Sequence, residues 1–119
     1  MVTGGPAATV ARVNVDVASY GGVATVTYAD RDATVESGRF WQQRAVTSHD
    51  DARHFGRPVS LGPRYDSRYG AVAGGVFPGD YIGSAATRGR VYLTWTVASK
   101  PKDPAATYHQ VLFGAVLHP

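Results

Sequence analysis

The sequence predicts an all-β chain made of two antiparallel sheet units in tandem. Three observations predict it. Apolar residues recur with period two along much of the chain, the signature of strands, while helical periodicity is nearly missing. Fourteen glycines and seven prolines punctuate the 119 residues, so strands are short and turns many. An internal repeat relates the two halves at an offset of 67 positions.

The elements follow in order. Val13, Val15 and Val17 alternate with Asn14 and Asp16, and Gly21-Gly22 then turns the chain. Val23 to Tyr28 is a β-branched run, and Phe40 to Thr47 reads as a third strand. Val59-Ser60-Leu61 is a short apolar patch that stops at Gly62-Pro63. From Gly62 to Pro78 the chain is rich in Gly, Pro, Arg and Tyr, which predicts a long connecting loop. Tyr81 to Ala86 is the next strand. Val91 to Ser99 follows it, with Leu93, Trp95 and Val97 on one face. Lys100 to Pro104 is a polar turn, and Tyr108 to Leu117 is the last strand. Only Ala71–Gly75 or Ala105–Thr107 offers a brief helical turn.

The repeat sets the architecture. At the offset of 67, Gly22 falls on Gly89, Val26 on Leu93, Thr27 on Thr94 and Tyr28 on Trp95. Trp41 falls on Tyr108 and Gln43 on Gln110. Three antiparallel strands per copy suit a propeller blade or half of a β-sandwich. The expected division of 1–119 is a first blade over about 10–61, a loop over 62–78 and a second blade over about 79–119. A blade needs a fourth, outer strand, and the second copy stops after its third. Open edge strands therefore call for neighbours, either missing blades or another copy of the chain.

Composition excludes several functions. At 44% hydrophobic and 18% charged the chain is globular. It has no cysteine, so it has no disulfide and no thiolate metal site. The formal charge of +3 is scattered, and no basic run interleaves with aromatics, so no nucleic-acid partner is expected. No apolar stretch has the length of a membrane helix, and Met1 to Pro6 lacks the pattern of a signal peptide. No phosphate loop, nucleotide fingerprint or Ser-His-Asp order is present, so no cofactor is expected.

Ser48-His49-Asp50-Asp51-Ala52-Arg53-His54-Phe55 carries the first motif. It resembles the Asp-box of sialidase-like (BNR) propellers: Ser, any residue, Asp, any residue, Gly, two residues, then Trp or Phe. Ser48, Asp50 and Phe55 match, and Ala52 stands where Gly is usual. A Ser and an Asp two apart can accept backbone N–H bonds and hold a hairpin corner, with Phe55 as an apolar plug. Ala52 is strained if its position needs positive φ. An ordinary Asx-type turn is the competing reading. Phe77-Pro78-Gly79-Asp80-Tyr81-Ile82-Gly83, followed by Arg90 to Trp95, is similar to a stretch that opens a late blade in bacterial sialidase-like proteins. Val97-Ala98-Ser99-Lys100 departs from that pattern, because the arginine usual after the Trp strand is missing.

The resemblance implies two antiparallel blades of a sialidase-like β-propeller, part of a six-bladed ring in a secreted or cell-surface glycoside hydrolase. It also implies a sialoside or other glycan as ligand. The family's exo-sialidase chemistry uses a Tyr nucleophile, an acid/base Asp, a Glu and an arginine triad drawn from several blades. Two blades cannot supply them all, so the chain alone is expected to be inactive. Tyr81 is the candidate nucleophile, against a reading in which Asp80 caps a turn and Tyr81 packs at the rim. The sole glutamate, Glu36, lies in a distant turn.

Arg64, Tyr65, Asp66, Arg68 and Tyr69 form a polar-aromatic cluster suited to carboxylate or sugar, or else a solvated linker. With Asp80 and Tyr81 they are the expected ligand-facing set. His49, Asp50, Asp51 and His54 match no metal-ligand spacing, so no metal is expected. The functional expectation is a C-terminal fragment or divergent partial member of this family, contributing at most to glycan binding or hydrolysis in a full ring. The alternative is a non-catalytic propeller or sandwich module with a binding or structural role.

Overall fold

A computed structural model describes residues 10–32, 34–35, 38–72, 76–77 and 82–119; the side chains of 72, 76 and 77 are outside that description. Among the described residues the chain is all-β, with two large antiparallel sheets and a two-stranded hairpin between them. The first is a four-stranded meander of β1 (Val10–Tyr20), β2 (Val23–Asp32), β3 (Phe40–Ser48) and β4 (Val59–Asp66). A 3-10 turn at Ser67–Tyr69 and a small hairpin, β5 (Ala71–Val72) with β6 (Val76–Phe77), lead onward. The second sheet is three-stranded, in the order β7 (Gly83–Thr87), β8 (Arg90–Ala98), β9 (Gln110–Leu117).

Two expectations are corrected here. The apolar patch at Val59 is the start of a full strand reaching Asp66, so the first sheet has four strands and the loop over 62–78 begins later. Neither Ala71–Gly75 nor Ala105–Thr107 forms a helical turn in its described residues; Ala71–Val72 is strand.

The alternation of Val13, Val15 and Val17 also misleads. Val13 pairs with Ala29 and Asp16 with Thr27, so Asn14 and Val15 together oppose Tyr28 as a β-bulge. Asn14 adopts φ 51° there. The inserted residue swaps the faces beyond it. Val15 and Val17 point outward and are exposed, while Ala18 turns into the core. Asp16 turns inward as well and accepts a 2.6 Å bond from the Ser84 hydroxyl, which ties β1 to β7.

The sheets share one core. Ala18, Ala45, Leu61 and Tyr65 of the first sheet meet Val91, Leu93, Trp95 and Val97 of the second. Alternation along β8 works as the sequence predicts, with Val91, Leu93, Trp95 and Val97 buried at spacings of two and Ala98 buried beside them at its end. Trp95 is the largest of the fully buried side chains. Room for it comes from β4. Between Trp41↔Tyr65 and Gln43↔Leu61 the register slips, and Gly62 sits in the bulge at φ 59°. A Cβ at Gly62 would lie 2.8 Å from Trp95 Cζ2. The Gln42 side-chain amide closes the bulge by donating to the Leu61 and Gly62 carbonyls at 3.1 and 3.3 Å.

The offset of 67 is visible in the first hairpin of each unit. Tyr20 pairs with Val23, and their mates Thr87 and Arg90 pair likewise. The third strands do not follow it. Ala24 pairs with Ser48, but Val91 pairs with Leu117, which is two residues beyond the mate of Ser48. The matches of Trp41 with Tyr108 and of Gln43 with Gln110 are therefore not structural equivalences. The faces are informative. Thr27 lies opposite Ala45 and faces the second sheet, so Tyr28 lies on the far face. Its mate Trp95 faces the first sheet. Tyr28 and Trp95 are both buried, on the same side of their own sheets.

Candidate functional site

Two constellations stand at opposite ends of the first sheet. At one end the β1–β2 turn and the β3–β4 connection lie together, with Asp51 N donating to Gly22 O at 3.0 Å. This corner is built by the motif residues. Ser48, buried at the end of β3, accepts from Ala52 N at 3.0 Å and Asp50 N at 3.3 Å. Its hydroxyl donates to Asp50 Oδ1 at 2.8 Å. Asp50 Oδ1 also accepts from His54 N at 2.9 Å, and Asp50 Oδ2 lies 2.6 Å from His54 Nδ1. Asp51 and Ala52 both have positive φ, 58° and 63°. Ala52 thus occupies, under strain, the position where the motif usually has Gly. Phe55 is half-buried, and it lines an open groove of about 530 Å³ with Ala45, Thr47, His49 and Val59.

These contacts act on stability. Replacing Ala52 by Gly removes a left-handed alanine, a conformation that costs an L-residue roughly 1–2 kcal/mol. Ala52→Gly is expected to raise the denaturation midpoint without moving the fold, as read by urea titration. The bonds from the His54 side chain, the His54 backbone and Ser48 hold the Asp50 carboxyl well below the usual carboxylate range. A depressed folded pKa stabilises above the unfolded value of about 3.9. The contribution is lost as pH falls below that value toward the folded one. Asp50→Asn should therefore flatten the acid limb of a stability–pH curve. Among the described residues no group of three His, Cys, Asp or Glu side chains is arranged to hold a metal ion.

The other end is rich in arginine and aromatic groups. Arg39 and Arg64 each lie 4.7 Å from the centroid of Phe40. Asp66 receives Arg39 and Arg68 at 3.0 Å each, and its carboxylate caps the 3-10 turn through Arg68 N. Arg68 also stacks on Tyr69 and donates to its hydroxyl at 2.7 Å. Arg44 pairs with Asp30 and donates to Ser60 at 2.8 Å. Arg31 lies 5.8 Å from the centroid of Trp41, and its buried Nε has no hydrogen-bond partner. Arg31, Arg44, Arg64, Asp30, Asp32 and Phe40 line a groove of about 350 Å³.

The expected ligand-facing set divides. Arg64 and Arg68 are exposed and Tyr69 is half-buried. Tyr65 is corrected to a core residue: it is 6% exposed, it packs on Trp41 at 6.3 Å, and burial pushes its phenol pKa up. Strand β4 explains the difference, because alternation along it sends Tyr65 inward with Leu61. Asp80, Tyr81 and Glu36 lie outside the described residues. The sequence reading missed Arg31, Phe40 and Arg44. The signal for Arg44 is a charge inside an apolar strand, directly opposite Tyr28.

No protein-family model, curated protein or solved structure matches the chain.

Proposed function

We propose that the chain is a pair of consecutive sialidase-like propeller blades that contributes glycan-binding surface to a larger ring and holds no complete active site. One observation carries this reading. Tyr28 and Trp95 are buried on equivalent faces of their own sheets, and the Trp95 face of the second sheet packs on the face of the first that Tyr28 does not occupy, so the units stack front to back. Propeller blades succeed one another that way. A two-fold sandwich would instead bring both aromatics into one interface. Two features add support. The first strands of the units, β1 and β7, meet through Asp16 and Ser84, as innermost strands do beside an axis. The Ser48–Asp50–Phe55 corner joins the third and fourth strands of its sheet.

In this reading the groove at Arg44 and Arg64 receives the carboxylate of an acidic sugar, because guanidinium groups fix a planar carboxylate through paired hydrogen bonds. The test is a heteronuclear NMR titration with N-acetylneuraminic acid. Shifts are expected at Phe40, Arg44 and Arg64, and they should vanish in Arg44→Ala/Arg64→Ala. A silent titration, or shifts clustered elsewhere, removes the proposal. Turnover of a fluorogenic sialoside is expected to be absent, and turnover abolished by Tyr81→Phe would show a complete site.

A second reading, a non-catalytic sandwich module, is favoured by the single core that runs through both sheets. Cooperative folding of the isolated chain together with a silent glycan titration would select it.

A further inference from the structure

We infer that β9 is a docking edge, and that it pairs antiparallel with β9 of a second copy of this chain about a two-fold axis at Gly114. The inference does not rest on the propeller reading and competes with it for this edge, which a fourth strand of the second unit would take in a completed ring. It rests on how the four long-sheet edges differ.

A strand edge offers unpaired N–H and C=O groups to any extended partner, and proteins usually defend such edges. β1 is defended by its bulge at Asn14–Val15 and by the charges of Arg12 and Asp16. β4 carries the bulge at Gly62, then Pro63, which has no N–H, and Arg64. β7 is five residues long and is held against β1 through Ser84. β9 has none of these devices. Its eight residues, Gln-Val-Leu-Phe-Gly-Ala-Val-Leu, contain no charge and no proline. Its pairing with β8 is continuous from Ala98↔Gln110 to Val91↔Leu117, so no bulge twists it away. Among the described residues no strand pairs with its outer side.

The side chains fit the same conclusion. Buried strands read as continuous apolar runs, and β9 does, yet Leu112 is 72% exposed and Val116 48%. Directly opposite residues of an antiparallel pair share a face. With the axis at Gly114, Leu112 of each copy lies opposite Val116 of the other, and Phe113 opposite Ala115. The register thus gives the most exposed apolar side chain of β9 an apolar cross-strand neighbour and sets Phe113 against the small Ala115. The lack of charge argues for a second copy as the partner: a strand bearing arginines would repel itself across a two-fold axis, and this one is self-complementary. The product is a continuous six-stranded sheet.

Sedimentation equilibrium of the 119-residue chain tests the pairing. A monomer–dimer equilibrium is expected. Leu112→Lys should weaken it about tenfold, because it removes both symmetry-related Leu112–Val116 cross-strand contacts and puts a charge on the edge, while the circular dichroism stays that of the parent. A second variant uses the absence of native cysteine. Opposed α-carbons in an antiparallel pair lie about 4.5–5.5 Å apart, within disulfide reach. Gly114→Cys should therefore oxidise to a covalent dimer, while Lys102→Cys in the exposed turn should not. A chain monomeric at all concentrations overturns the inference. So does a dimer that ignores Leu112→Lys and does not cross-link through residue 114.

Discussion

Trp95→Ala is expected to bring the chain close to global unfolding. The indole is 2% exposed and sits where the two sheets meet, tilted against Phe113 at 6.0 Å and packed over Gly62. Truncating a buried Trp to Ala typically costs about 3–5 kcal/mol, part lost transfer energy and part cavity. Small domains are stable by only about 5–15 kcal/mol. The bulged main chain on the other side has no side chain at Gly62 to fill the space, so collapse is limited and the cost falls toward the upper end. Guanidinium denaturation with tryptophan and tyrosine fluorescence measures it. A loss below about 1 kcal/mol would mean that the sheets do not share this core.

Gly62→Ala is the second large effect, and its cause is the reverse. The new methyl would stand 2.8 Å from Trp95 Cζ2, closer than carbon atoms tolerate. The backbone there, at φ 59°, is left-handed, which adds roughly 1–2 kcal/mol of strain for an L-residue. Overpacking adds about 1–3 kcal/mol. The two substitutions share one space, so they should not add. In the double variant Gly62→Ala/Trp95→Ala the methyl has room, and only the left-handed strain persists. The double variant is therefore expected to be less destabilised than the sum of the singles. Strict additivity would show that Gly62 and Trp95 are not in contact.

The same pair explains why part of this fold was legible in the sequence and part was not. Leu93, Trp95 and Val97 announced their common face because β8 is regular, and a regular strand keeps the parity of its side chains. Gly21-Gly22 announced the first turn, and both residues adopt positive φ. Ser48 and Asp50 announced a corner because their acceptors serve backbone donors within four residues, a local matter. β1 and β4 were misread for different reasons. β1 contains a one-residue bulge, which shows only as the register of pairing with another strand, so Val15 and Val17 lie outside. β4 runs on past Gly62, where the sequence reads as loop, and its register slip keeps the alternation, so Tyr65, grouped with arginines in the sequence, lies inside with Leu61.

The candidate site divides along the same line. Arg64 and Arg68 stand out as charges in an aromatic segment. Arg44 comes from a strand 9 residues long, and it reaches Arg64 only once β3 and β4 are side by side. Its carboxylate partner Asp30 also comes from another strand, as does the Asp66 that holds Arg39. No local pattern marks such a set.

By itself the sequence determined the all-β class, the regular strands, the tight turn and the hydrogen-bonded corner. Those depend on residues within a few positions of one another. Only the tertiary structure decided that a fourth strand completes the first sheet and which residues of the bulged strand β1 are buried. It also decided that Tyr28 and Trp95 lie on equivalent sides of successive sheets. The physical reason is that side chains alternate with period two, so one inserted residue, visible only through its long-range partner, exchanges inside and outside for everything that follows it.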